Sequence, residues 1–297
     1  MAKRAATEQT YREEAHVIAA RDVKFTWDDV PLHYVPNEPF ASQFWNIMHL
    51  IVPEGEKAMA GTVSEALPYI TDERLHEEAV GFIGQEAMHA VSHESYHDRL
   101  AEQGIDIEPI LRNWEFWLRQ VLTDHALPAR AKKAWLNERL AMFAAFEHFT
   151  AIVGQWLLDN EALAESGTHP MMLDILKWHG AEEVEHRNVL FDVYQHVDGS
   201  YARRVRTAIL AGPGLAVWWL GTAHYLMKQD PAPKKWWRPW PVQLKRAAKA
   251  GLIPDLSFFV TELPPYLRRD FHPSEMGPLD AAVKYLATSP AALAAEH

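Results

Sequence analysis

Five Glu-x-x-His pairs run through the chain, starting at Glu13, Glu73, Glu86, Glu94 and Glu183, where 16 histidines among 297 residues would give roughly 1.3 by chance. On a helix this spacing stacks a carboxylate and an imidazole one turn apart, which makes either two ligands for a divalent metal or an acid/base pair. What else shares the face separates the five. Glu86 and His89 lie with Ala79, Phe82, Ile83 and Ala90, and Glu183 and His186 lie with Leu190 and Val193, so both pairs face a core. At about 100° per residue His179 falls within about 60° of Glu183 and His186, giving one inward line. Glu185 points about 100–120° away from that line, toward solvent or a neighbour.

A dinuclear site in a helical bundle takes one further carboxylate from each of two other helices. Glu56 shares its face with Met59, Ala60, Val63 and Leu67, whereas Glu54 lies with Lys57, Gly61 and Glu65, so amphipathicity selects Glu56. Glu147 sits in an apolar stripe of Leu140, Phe143, Ala144, Ala151 and Leu158, where an unpaired carboxylate would be costly. Glu56 precedes Glu86 by 30 residues and Glu147 precedes Glu183 by 36, each suited to two antiparallel helices that meet at mid-height. Trp45, Phe82, Phe143, Phe146 and Trp178 are the aromatic residues expected beside the cluster.

The elements that must position these residues are helices. Helical periodicity dominates residues 40–228, and no stretch alternates as a strand does. After an entry segment (1–38) the pattern predicts a first helix over roughly Phe40–Leu67, kinked or restarted at Pro53, and a second from a Thr71 cap to about Gln103. A crossover helix follows within 105–127. A third long helix runs from Pro128 to about Leu163, and a fourth from Pro170 to about Gly199. The expected fold is all-α: a ferritin-like four-helix bundle with one crossover (40–199), plus a C-terminal helical extension (200–297), in a single domain.

Composition narrows the function classes. With no Cys there is no disulfide framework, iron–sulfur cluster or cysteine nucleophile, and a net charge of -11 with no Lys/Arg-rich block argues against a nucleic-acid partner. The first residues lack the apolar run of a signal peptide, so the protein is expected in the cytoplasm. Thr207–Met227 has the length of a bilayer span but contains Gly212, Pro213, Gly214, Gly221 and His224. It reads first as a core helix and second, with the Trp236–Trp240 stretch, as a membrane-surface contact through 207–240.

With Glu, Glu-x-x-His, Glu and Glu-x-x-His on four successive helices, the sequence resembles the ferritin-like di-iron carboxylate proteins. His179-x3-Glu183-x2-His186 is similar to the fourth-helix pattern of the arylamine N-oxygenases of the p-aminobenzoate N-oxygenase type, where a third histidine joins the cluster; His179 would be that ligand. Pro53 to Glu56, Pro-x-Gly-Glu, and the second-helix Glu-x-x-His also resemble the bacterial "predicted metal-dependent hydrolase" family over most of residues 20–275. The resemblance implies two iron ions held by Glu56, Glu86, His89, Glu147, His179, Glu183 and His186, which activate O2 to oxygenate a small apolar or aromatic substrate, an amine included. It also implies an electron-donating reductase and a homodimer. Manganese or zinc are the alternative metals.

A competing motif is His93-Glu94-Ser95-Tyr96-His97, the HExxH pattern of zinc hydrolases, expected by chance roughly 0.07 times. His93, Glu94 and His97 would then form a zinc site, although no third ligand stands out. Alternatively His93, four residues beyond His89, is a hydrogen-bond partner orienting the cluster. Metal-dependent hydrolysis, through this motif or the main cluster, is the second reading. A metal-binding bundle without turnover is the third.

Overall fold

The computed structural model describes residues 18–231 and 239–295. The Glu13–His16 pair and most of the Trp236–Trp240 stretch lie outside the described residues. Those described are mostly helical, with no strand among them. Four long helices form the bundle: α1 (Pro39–Ala66), α2 (Glu73–Glu94), α5 (Ala129–Asp159) and α7 (Pro170–His186). Helix α1 packs along α2, and α5 along α7. Between them α3 (His97–Glu102), α4 (Glu108–Glu115) and a wide π turn (Phe116–Val121) make the crossover. After α6 (Ala162–Glu165) and α7 come α8 (Val189–Val197) and α9 (Tyr201–Gln229), which packs outside against α5 and α1.

Proline and side-chain caps set the boundaries. Pro39 and Pro170 open α1 and α7, where a missing N–H costs nothing. Helix α2 is capped by Asp72, whose carboxylate accepts from Leu75 N at 3.0 Å, and not by Thr71, whose N–H donates to His196. Two helices are also shorter than their periodicity predicts. Helix α2 turns at Ser95, whose hydroxyl donates to Ser92 O at 2.6 Å and competes with the helical ladder. The fourth breaks at Arg187–Asn188, just beyond His186, where Asn is a poor helix-interior residue and Arg187 reaches out to Gly277 O.

Helices α5 and α7 cross at two glycines. A Cβ on Gly154 would lie 2.4 Å from Gly180 O, so only hydrogen at both positions permits this approach. Residues 18–38 run without helix or strand, with turns at 28–29, 32–33 and 36–37, and bury Val23, Trp27, Val30, Tyr34 and Val35. The C-terminal pieces run from α10 (Trp240–Lys249) to α14 (Pro290–Ala295), and the last of them are tied to α7 by Asp174, which accepts from Tyr285, Ser289 and Ala291 N.

Within α9 the 207–227 segment buries Ala208, Ala211, Gly212, Trp219, Ala223 and Leu226 and exposes Ile209, Leu210 and Val217. Among the described residues one helix, α5, is long and apolar enough to cross a membrane by length and composition, and 61% of its most apolar window is buried.

Candidate metal centre

Seven side chains from four helices meet at mid-bundle: Glu56 (α1), Glu86 and His89 (α2), Glu147 (α5), and His179, Glu183 and His186 (α7). None is more than 4% exposed. They form two groups that share one carboxylate. Glu56, His89, His179 and Glu183 offer ligand atoms within 4.8 Å of one another, and so do Glu86, Glu147, Glu183 and His186. In the first, His179 Nε2 lies 3.0 Å from Glu183 Oε1 and 3.4 Å from Glu56 Oε1, while His89 Nδ1 lies 3.6 Å from Glu56 and 3.7 Å from Glu183. In the second, His186 Nε2 lies 3.2 Å from Glu147 and 3.4 Å from Glu86.

Burying so many polar atoms is costly unless each finds a partner. Here Glu86 and Glu147 have neither oxygen hydrogen-bonded, and Glu56 Oε2, Glu183 Oε2, His89 Nδ1 and His186 Nε2 are also unpartnered. These lone pairs converge on two positions, the donor set that two divalent cations would satisfy. In the metal-free chain burial, reinforced by neighbouring carboxylates, holds Glu56, Glu86 and Glu147 well above the ordinary carboxylate range. Burial also opposes ionisation of Glu183, but the hydrogen bond from His179 and the nearby His186 imidazole win and hold it well below that range. Burial pushes His89 down to about 3 and His179 to about 4, so both imidazoles stay neutral and able to bind metal.

Around this cluster lies a layer that amphipathicity does not reveal. His89 Nε2 donates to Glu182 Oε2 at 3.0 Å, which leaves Nδ1 as the lone pair facing the cluster. Glu182, its carboxyl pushed up to about 7 by burial, also accepts from Trp178 Nε1. Glu185 is buried and meets neighbours: Arg21 from the entry segment and Gln85. Glu185 thus meets a neighbour and not solvent, and Glu182 carried no signal in the sequence. The rejected Glu54 faces the crossover, paired with Arg119 and Lys57.

The HExxH residues diverge, and neither metal-binding group includes one of them. Buried His93 turns toward the cluster, Nε2 2.8 Å from His179 Nδ1 and Nδ1 3.1 Å from His49 Nδ1. Glu94 points outward and pairs with Lys57 at 2.8 Å. His97 Nε2 donates to His49 O at 2.6 Å. That carbonyl is four residues before Pro53, which has no N–H to close the helical bond, so His97 repairs the ladder that Pro53 interrupts.

A slim apolar cavity of about 30 Å³, room for roughly two waters, reaches the cluster at His179 and Glu183. Its walls include Phe44, Met48, Phe149, Val153, Leu215 and Trp219, with Thr150 the one other polar side chain. Of the five aromatics expected beside the cluster two touch it, and none of the five lines the cavity. Phe82 packs against His186 and Trp178 against His89, while Trp45, Phe143 and Phe146 are core. The actual walls come from α1, α5, α9 and residues 254–256, a tertiary meeting without a local pattern.

No curated protein and no solved structure matches the chain. One family model does, over residues 19–277, a span that holds all seven converging side chains and His93, Glu94 and His97. The chain belongs to the family of predicted metal-dependent hydrolases.

Proposed function

We propose that the seven converging side chains hold two iron ions and that the protein is an O2-dependent oxidoreductase acting on a small apolar or aromatic substrate. The observation that carries this reading is the pair of buried four-residue groups joined at Glu183, most of whose inward lone pairs have no partner among the described residues. Four carboxylates offset the four positive charges of two ferrous ions, and mixed nitrogen and oxygen ligation suits iron. Iron supplies one-electron chemistry and an open coordination position for O2. Glu183 joins the two positions. His89 and His179 place two neutral donors on the first, and the apolar walls exclude water there. The ferritin-like arrangement of a Glu from each of two helices and Glu-x-x-His from the others supports the same reading.

The cavity touches His179 and Glu183 but not Glu86, Glu147 or His186, so substrate approaches the position held by Glu56, His89, His179 and Glu183. The apolar lining supports an apolar substrate with one reactive group, an amine among the candidates, and at about 30 Å³ the cavity must widen to admit it. Placing one oxygen atom of O2 on the substrate and releasing the other as water takes two electrons and two protons, and we assign the electrons to a separate reductase whose basic face meets the acidic surface of this chain. A homodimer in the cytoplasm, with membrane-surface contact through 207–240, is part of the same proposal.

The family description favours a second reading, hydrolysis at the same cluster with zinc or manganese. Anaerobic loading with ferrous iron separates the two. The oxidoreductase reading expects about two irons per chain and O2 uptake on aeration. Ester or amide cleavage by the zinc-loaded chain, with no O2 uptake by the iron-loaded one, would establish hydrolysis instead.

A further inference from the structure

The entry segment does more than cover α2. Residues 18–21 lie directly on two glycines of that helix: a Cβ on Gly81 would sit 2.2 Å from Ile18 O, and one on Gly84 3.1 Å from the Ala20 Cβ. This seat brings Arg21 into the carboxylate pair behind the cluster. Its Nη1 donates to Glu182 Oε1 at 2.7 Å and to Glu185 Oε2 at 2.9 Å, and its Nη2 donates to Glu185 Oε1 at 2.9 Å. Glu182 in turn accepts from His89 Nε2, and Glu185 from Gln85, the residue before Glu86.

A carboxylate behind a metal-binding imidazole fixes which nitrogen carries the proton and how the ring is turned. Glu182 can do so only if it is itself held, because it lies beside a second buried carboxylate that repels it. Arg21 answers both needs, with one planar fork that neutralises the pair and sets the direction of its oxygens. Among the described residues the entry segment gives the second metal position no such support: Glu147 and the His186 ring nitrogens have no hydrogen-bond partner there.

We propose that Arg21 is a positioning residue for the metal site, delivered by the 18–21 segment to hold Glu182 so that His89 Nδ1 faces the Glu56/His89/His179/Glu183 position. This rests on the two-metal reading of the cluster. It predicts asymmetry, since loss of Arg21 weakens one position and spares the other.

The test is titration of the full-length metal-free chain with Co2+, followed by its visible absorption. Wild type is expected to bind about two ions, and Arg21→Ala to hold one of them about 10–100-fold more weakly with altered bands. Arg21→Lys, which keeps the charge without the fork, restores part of the affinity. Glu182→Gln, close in size, weakens the same position and serves if Arg21→Ala does not fold. If the substituted chains bind both ions with wild-type affinity and bands and only the metal-free melting temperature falls, Arg21 merely pins the entry segment and the proposal fails. A wild-type chain that takes up fewer than two ions overturns the two-metal reading, and this proposal with it.

Discussion

His93 Nε2 lies 2.8 Å from His179 Nδ1, on the far side of that imidazole from Glu56 and Glu183. A metal at His179 Nε2 leaves Nδ1 carrying the proton, and His93 is then its acceptor. His93→Phe removes the acceptor while keeping a planar ring in the space. Metal affinity is expected to fall about 10–100-fold in competition with a chelator, and unchanged affinity would show that the bond does not orient the ligand.

The second position depends on a residue far from HExxH in sequence. Glu147→Ala should lower bound metal from about two ions to about one per chain, whereas His97→Ala should leave both, because His97 donates to a backbone carbonyl and not toward the cluster. Metal analysis of the purified variants reads this directly. The reverse result, metal lost with His97 and kept without Glu147, would restore the zinc motif.

Protonation sets the pH dependence of loading. In the metal-free chain Glu56, Glu86 and Glu147 are raised well above the carboxylate range and Glu182 to about 7, so metal must displace protons. His89 at about 3 and His179 at about 4 are already neutral and do not compete. The raised carboxylates stabilise the metal-free fold below their unfolded pKa, and that contribution is lost as pH rises through the folded values. Metal binding should therefore tighten as pH rises, and the melting-temperature gain on loading should be larger at about pH 8 than at about pH 5.

The glycine crossing of α5 and α7 tolerates no methyl group. Gly154→Ala puts a Cβ 2.4 Å from Gly180 O, a clash with backbone that no rotamer can relieve. Destabilisation of ~1–3 kcal/mol is expected, with a lower melting temperature in thermal denaturation. A change within about 0.5 kcal/mol would mean that the helices can part.

How much of this could be read from sequence depended on which face a residue occupies. The four core helices and the choice of Glu56 over Glu54 follow from apolar periodicity, which the bundle obeys because each helix buries one stripe. Glu182 and Glu185 escaped because they lie off that stripe yet are buried by a segment from another part of the chain, and Arg21 has no local pattern at all. The HExxH reading assumed an unbroken helix through Ser95. The turn there leaves His97 on the His49 carbonyl, away from the cluster that His93 reaches through His179, so a strong motif in one dimension comes apart in three.

Pro53 and His97 thus form one interaction between two helices, each supplying what the other would leave unmet. Proline alone would leave a carbonyl without its donor, and histidine alone would meet a carbonyl already bound within its own helix. Either single replacement passes through a less stable chain. The two positions should therefore change together among relatives, proline with histidine or neither, and a family alignment would carry that correlation as a record of this contact.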